Sequence, residues 1–516
     1  MKRRTASCPS CGAPVTFGPG SVIAVCDFCK TVVARGDKKV EDHGKVADLV
    51  ETSSRLRRGM TGRYKRRSFT IAGRVQYRHP AGGVWDEWYL AFSEGRWGWL
   101  AEAQGNLYLT FEKRLRRNAK VPDFDDLGVG KSVDLGGAPF EVFERGTATC
   151  GSAEGEIPWD FRIGAEHRFV DLQDAKGRVA TLEYGAEPQL FVGEVVSVDD
   201  LNLSGEGWDF EPETASGGGL QLNCPNCAGP LTLRVPDQSL RVTCPSCNSL
   251  LDANSGKLSY LKTLKSRESF PILIPLGKEG KLFGEKYTVI GYMRRYATWM
   301  GKMFPWNEYL LYNPDLGFRW LVHNDNHWSF VHPPKQPVSA KWRRWKQFTY
   351  DNSQFRLYDR GVAYVRYVIG EFYWKVEVGE KVTTADFIAP PRMVSFEWSE
   401  TGKSEELNVS LGNYVTVDEI QQAFDVKSIP RPWGVGVIQP GPWPGWGLFL
   451  VWPILVLFLV LIHAAYSKPG ATGSDGWLCF YAILTVSSVP LGILAYRYAF
   501  EVNRWQNSDF SPYATE

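Results

Sequence analysis

The sequence carries almost no excess of charge: 59 Lys and Arg against 57 Asp and Glu leave a formal +2 over 516 residues. That balance argues against a globally basic nucleic-acid binder, while leaving room for a local patch. No Walker loop, G-x-S-x-G elbow, dinucleotide fingerprint or H-E-x-x-H pair occurs, so no motif names an enzyme. No apolar run follows the basic start MKRRTASCPS, and a secretory signal peptide is therefore not expected. Cysteine outside C-x-x-C pairs is nearly absent: of ten, only Cys150 and Cys479 stand alone. Paired cysteines without a secretory signal fit metal binding in a reducing compartment better than a disulfide framework.

What is present is a folded, aromatic-rich chain, 44% hydrophobic and 14% aromatic with 20 Trp, long enough for three or four domains. The eight paired cysteines form two frames, CPSCGAPVTFGPGSVIAVCDFC from Cys8 to Cys29 and CPNCAGPLTLRVPDQSLRVTCPSC from Cys224 to Cys247. Two C-x-x-C turns on neighbouring hairpins complete a tetrahedral four-thiolate shell. The segments between them, PVTF and SVIAV or LTLRV and LRVTC, read as short strands. Two structural zinc ions are expected, one on Cys8, Cys11, Cys26 and Cys29, the other on Cys224, Cys227, Cys244 and Cys247. A closed shell of four cysteines leaves no open position for catalysis. Small residues, Gly12 and Ala228, follow the first knuckle of each frame.

The duplication extends beyond the cysteines. Gly59, Gly62 and Gly73 match Gly277, Gly280 and Gly291 at a constant offset of 218. Trp85, Glu87 and Trp99 match Trp306, Glu308 and Trp320 at 221. Gly155, Glu156, Trp159 and Gly164 match Gly370, Glu371, Trp374 and Gly379 at 215. Runs such as FTIAGRVQY and VAYVRYVIGEFYWKVEV alternate with period two, so the expected fold is mostly β, each unit a zinc ribbon plus a small antiparallel barrel or sandwich. Short helices are expected at VDEIQQAF and KWRRWKQF. The expected boundaries are a ribbon over 1–40, a β-module over 55–205, a linker over 206–221, a second ribbon over 222–256 and a second module over 268–425.

After a Pro/Gly/Trp linker (426–445), two apolar stretches, 446–466 and 477–500, are each long enough to span a bilayer and predict a two-helix hairpin followed by a tail over 501–516. Pro453 and Pro490 are tolerated within membrane helices. Lys427, Arg431, Arg497 and Arg504 flank the terminal sides against Lys468 alone in the loop, which predicts both termini and both units on the cytoplasmic face.

The polar residues that recur are Glu87/Glu308, Arg145/Arg360, Glu156/Glu371 and Glu183/Glu397; no histidine does. One basic run has no acid: Arg55, Arg57, Arg58, Arg63, Lys65, Arg66 and Arg67. It reads as a solvated turn or as a contact for anionic lipid, worth about 1 kcal/mol per residue near a charged surface; a nucleic-acid backbone is the third option.

The frame G-x-x-G, [FY]-T-[IV]-x-G, W-x-E-[WY]-x-L resembles a bacterial family named domain of unknown function 4178. The resemblance covers about three quarters of the chain and implies preceding zinc ribbons, repeated modules and terminal membrane helices, in members encoded near polyamine-synthase-like proteins. It implies no activity. The expectation is a non-enzymatic scaffold or adaptor in the bacterial inner membrane, with a protein partner, in an envelope-stress or polyamine-linked setting. The alternatives are an enzyme or enzyme subunit acting on an amine or peptide, with Glu87, Glu156, Glu308 and Glu371 as amine holders, and a nucleic-acid-binding membrane protein.

Overall fold

The computed structural model describes every residue except 1–3, 19, 37–39, 48, 50–51, 53, 80–83, 94, 104–105, 116–120, 136, 206–218, 237, 255–256, 265–270, 300, 402–403, 443–446, 467–473 and 514–516. Residues 206–218 of the expected interunit linker and most of the loop between the two apolar stretches lie outside the described residues, while Leu220 and Gln221 at the linker's end belong to a strand of the second ribbon. The chain is mostly β, in two tandem halves, as the period-two runs require.

In the first module the strand Arg67–Arg78 pairs with Val84–Phe92. The pairing continues through Trp97–Ala103, Asn106–Glu112, Pro188–Val196, Arg178–Tyr184, Glu166–Asp174 and Pro139–Ile157. Pro139–Ile157 then pairs back to Arg67–Arg78, so the ring of antiparallel pairs closes. The second module repeats it, from Glu285–Trp299 through Lys302–Asn313, Gly317–Asn324, His327–His332, Ser404–Val415, Arg392–Thr401, Lys381–Ala389 and Ser353–Phe372 back to the first. Two short helices with capping boxes follow the last strands, α1 (Val198–Leu201) behind Ser197 and α2 (Val417–Phe424) behind Thr416. The helix expected at KWRRWKQF is a single 3₁₀ turn, Trp342–Arg344, followed by the strand Gln347–Tyr350. Burial of Trp342 in the core and pairing of Gln347–Tyr350 with Ser353–Arg356 override the local pattern.

The ribbons are built into the modules. Ile23 and Ala24 pair with Ile157 and Glu156, and Arg241–Thr243 pair with Gly370–Phe372. At that junction Glu156 accepts the Gly18 amide at 2.6 Å and the Ser21 hydroxyl. Glu371, 2% exposed, accepts the amides of Arg234 at 2.8 Å and Val235 at 3.0 Å and the Ser239 hydroxyl at 3.1 Å. The preceding Gly155 and Gly370 have φ of +70° and +92°, a bend that favours glycine. Gly73 and Gly291 let a second strand pass close: a Cβ on Gly291 would lie 2.6 Å from the Glu371 carbonyl oxygen, and one on Gly73 would collide with that of Glu156. Each ribbon is longer than expected, adding Val40–Lys45 or Lys257–Thr263 as a covering strand.

The two halves share a core. Phe140, Val142 and Leu182 of the first cluster with Phe355, Phe387 and Phe396 of the second. Arg145 marks the seam: it pairs with Glu405 at 2.6 Å and holds the Asp125 carbonyl at 3.1 Å. Its counterpart Arg360 holds the Trp342 carbonyl at 3.2 Å, so the recurring arginine braces a 3₁₀ turn in both halves.

Toward the C-terminus, α3 (Gly447–Tyr466) lies against α4 (Ser474–Arg504). Among the described residues α4 alone is long and apolar enough, over Gly476–Arg504, to cross a membrane. Its end is docked on the second module. Arg504 is 2% exposed and donates to the carbonyls of Gly436 at 3.0 Å and Val437 at 2.9 Å, while Trp505 packs on Tyr358.

Because Glu371 satisfies two buried amides and a hydroxyl, Glu371→Ala is expected to cost about 3 kcal/mol and to free the second ribbon first. Amide exchange at Arg234 and Val235 would accelerate well ahead of exchange in the ring strands; uniform acceleration across the module would contradict this.

Candidate metal centres and a buried acidic cluster

The knuckles bring the cysteines together as their spacing predicts. Cys8 and Cys29 sulfurs lie 3.6 Å apart, as do those of Cys11 and Cys26. Cys224–Cys247 and Cys227–Cys244 are 3.8 Å apart. All four sulfurs of each quartet lie within 4.8 Å of one another. A disulfide would require about 2.05 Å, whereas four sulfurs at about 2.3 Å from a central ion stand about 3.8 Å apart. All eight are free thiols, and each quartet can hold one metal ion.

The turns are shaped by backbone. After each knuckle a residue takes positive φ: Gly12 (+78°), Lys30 (+59°), Ala228 (+57°) and Asn248 (+55°). Each donates its amide to the carbonyl of the knuckle's first cysteine, at 2.8–3.0 Å. Gly12 and Ala228 thus serve the turn, and Lys30 and Asn248 do the same without being small. The Thr31 hydroxyl beside Cys29 brings that thiol down to about 6. Burial acts against Cys247, but bonds from Ser249 and neighbouring groups bring it, too, to about 6. A low thiol pKa favours the thiolate that binds metal. In the same quartets hydrogen bonding among the sister thiols pushes Cys11 up, and burial pushes Cys244 up, each to about 12.

The recurring carboxylates do not form one constellation. Glu156 and Glu371 hold the ribbons. Glu308 accepts Trp306 Nε1 at 2.6 Å and Arg295 at 3.2 Å, and Arg295 also donates to Glu397 at 2.7 Å. In the first module Glu87 accepts Trp85 Nε1 at 3.2 Å. Burial there pushes Glu87 up to about 7. Burial, with Glu87 and Asp171 nearby, pushes Glu183 up to about 8. Asp171, held by Thr181 at 2.6 Å, recurs as Asp386, held by Ser395 at 2.6 Å; burial pushes them to about 6 and about 7. This pair escapes the sequence comparison because its flanking residues, FVDL and TADF, share only the aspartate at that offset.

The basic run is divided by the fold. Arg55 pairs with Asp315 at 3.1 Å, Arg57 caps the carbonyl of Leu56 at 2.7 Å, and Arg58 pairs with Asp27 in the knuckle Cys26–Cys29 at 2.7 Å. Lys65 and Tyr64 both bind Glu194. Arg63, Arg66 and Arg67 lie exposed around a hairpin turn in which Lys65 and Arg66 have positive φ. Lys65 and Arg67, with Arg96 and Arg178, rim a cleft of about 470 Å³ floored by Phe92 and Phe111.

Two tandem β-modules, each carrying a four-cysteine ribbon, and an apolar C-terminal helix define the class of protein. The chain belongs to the family described as domain of unknown function (DUF4178), whose model matches it twice, over residues 57–198 and 275–417. No curated protein matches the chain. One solved structure, a crystal structure of MucB in complex with MucA(peri), aligns with 72% of this chain and 95% of its own at 10% identity and a TM-score of 0.09, too low a score to carry an argument.

Cys224→Ser should reduce the bound metal, measured by elemental analysis, from two ions per chain to one. Val235 and Leu250 of the ribbon share a core with Ile290, Val368 and Phe372. The variant should therefore also lower the unfolding temperature of the second module; an unchanged melting curve would show that ribbon and module are energetically separate.

Glu87 and Glu183 have folded-state pKa values above the ordinary 4.5, so the folded chain holds their protons more tightly than the unfolded chain does. Their contribution to stability is fully present below about pH 4.5 and is lost as pH rises through about 7 to 8. Glu183→Gln is expected to flatten the fall in melting temperature over that upper range. A fall as steep as in the wild type would oppose it.

Proposed function

We propose that this protein is a non-enzymatic, membrane-anchored scaffold whose two zinc-ribbon units form one cytoplasmic body at the bacterial inner membrane. The observation that carries the reading is the docking of Arg504 and Trp505 on the second module. It joins the apolar helix α4 directly to the folded body, so an anchor in the bilayer would fix the orientation of both units. Side chains on both apolar helices, such as Phe458, Leu478 and Leu491, are exposed, as lipid-facing residues would be. The hairpin reading takes α3 as the first span, and the flanking Lys427, Arg431 and Arg497 favour cytoplasmic termini.

Zinc is the metal we assign, because four thiolates in a tetrahedral shell select a soft or borderline ion with no need for an open position. Zinc there organises the ribbon and takes no part in turnover. The closed rings of pairs support small barrels as the module architecture. Two modules on one anchor would raise the effective concentration for a repetitive or bivalent partner. Phe28, 77% exposed within the first ribbon's second knuckle, is the feature we expect a protein partner to cover. The free part of the basic run, Arg63 and Arg66 on their hairpin, faces solvent and suits anionic headgroups.

Three measurements on the full-length protein test this reading together. It should resist carbonate extraction from membranes, protect both terminal tags from protease added outside spheroplasts, and hold two zinc ions after purification. A C-terminal tag cleaved from outside, or zinc replaced by disulfides, would overturn the topology. Turnover of a peptide or amine by the purified protein would overturn the non-enzymatic reading.

A further inference from the structure

One position differs between the halves in a way that points to a ligand. In the second module Arg295 is buried, bonded to Glu308 at 3.2 Å and Glu397 at 2.7 Å, with its guanidinium carbon 5.7 Å from the centre of the Trp306 ring. The first module keeps the tryptophan and both carboxylates as Trp85, Glu87 and Glu183. The register identifies the residue that replaces the arginine. Tyr77 pairs with Trp85 and Cys150, as Arg295 pairs with Trp306 and Val365, so Tyr77 stands where Arg295 does. The cation is lost and its surroundings are retained.

Tyr77 is fully buried and no described residue hydrogen-bonds its hydroxyl, which lies within the influence of Glu87, Glu183 and Cys150. Among the described residues no lysine or arginine offsets Glu87, Asp171 or Glu183. Burying carboxylates without a cation is costly, and in the second module Arg295 relieves that cost. The walls are aromatic, with His167 4.7 Å from the Tyr77 ring and Phe169 5.8 Å from the Trp85 ring. Glu87, Asp171, Glu183 and His167 are mostly buried, yet each retains some exposed surface. A single metal ion does not suit it, since among the described residues only the two cysteine quartets converge at ligand spacing.

We propose that the first module binds a small organic cation of the guanidinium class between Glu87 and Glu183 beside Trp85, the place that Arg295 fills in the second module. The planar cation would be held by two carboxylates and an aromatic neighbour, with the Tyr77 hydroxyl available to the ligand. The second module is closed to the same ligand by its own side chain.

Calorimetric titration of the full chain in detergent with methylguanidinium tests this, with sodium chloride at matched ionic strength as the baseline. Saturable binding of one equivalent is expected. Glu183→Gln should weaken it at least tenfold, and Tyr77→Arg, which supplies the missing guanidinium from the chain, should abolish it while raising the melting temperature. The absence of saturable heat in the wild type, or equal affinity in the wild type and Glu183→Gln, would overturn the site. Tighter binding of n-butylammonium than of methylguanidinium would overturn the guanidinium assignment.

Discussion

The joining of ribbon to module depends on one carboxylate in each half. Glu156 and Glu371 sit where a ribbon strand joins the module's longest strand, and each accepts hydrogen bonds from the ribbon's backbone and a serine hydroxyl. A carboxylate as buried as Glu371 is tolerable only if its lone pairs are satisfied, and the partly buried Glu156 is satisfied in the same way. The ribbon supplies those donors, and the carboxylate in turn fixes the ribbon's central turn. The glycine before it bends the strand, and Gly73 or Gly291 opposite allows the close approach. The cysteine frame was therefore copied together with its module, because neither surface is complete without the other.

The second constraint is the core shared by the halves. Phe140 and Leu182 pack in the same cluster as Phe387 and Phe396, and the Arg145–Glu405 pair crosses the seam. The modules consequently behave as one body and not as independent beads on a linker. The docked end of α4 extends that body to the point where the apolar helix begins. A partner would meet two related but fixed surfaces, with their spacing set by packing.

Within this symmetry the two halves have diverged electrostatically. In the second, Arg295 partly offsets the burial of Glu308 and Glu397, whereas among the described residues no lysine or arginine offsets Glu87, Glu183 or Asp171 in the first; burial pushes carboxylates of both modules upward. Divergence at the centre of a retained frame is what duplication permits: one copy preserves the shape while the other changes what it holds. The basic run diverged similarly, with Arg58 recruited to the first ribbon through Asp27.

The sequence by itself determined the features that depend on local spacing: the cysteine quartets, the period-two strands, the duplicated register, the apolar C-terminal stretches and the helix at VDEIQQAF. Each follows from chain geometry over a few residues, and the family frame of glycines and tryptophans follows from the duplication. Only the tertiary structure decided which polar residues share a purpose. Glu156 and Glu87 look alike as acids beside aromatics, yet one binds a ribbon and the other faces an unneutralised cluster. Arg145 and Arg360 turn out to brace 3₁₀ turns. Tyr77 is an ordinary strand aromatic until cross-strand register sets it against Arg295, and KWRRWKQF reads as a helix until the core claims Trp342. The physical reason is common to all of these: a carboxylate or ring takes its role from whatever burial places opposite it, and that partner lies up to 276 residues away, as Glu405 does from the Val129 amide it accepts at 3.1 Å.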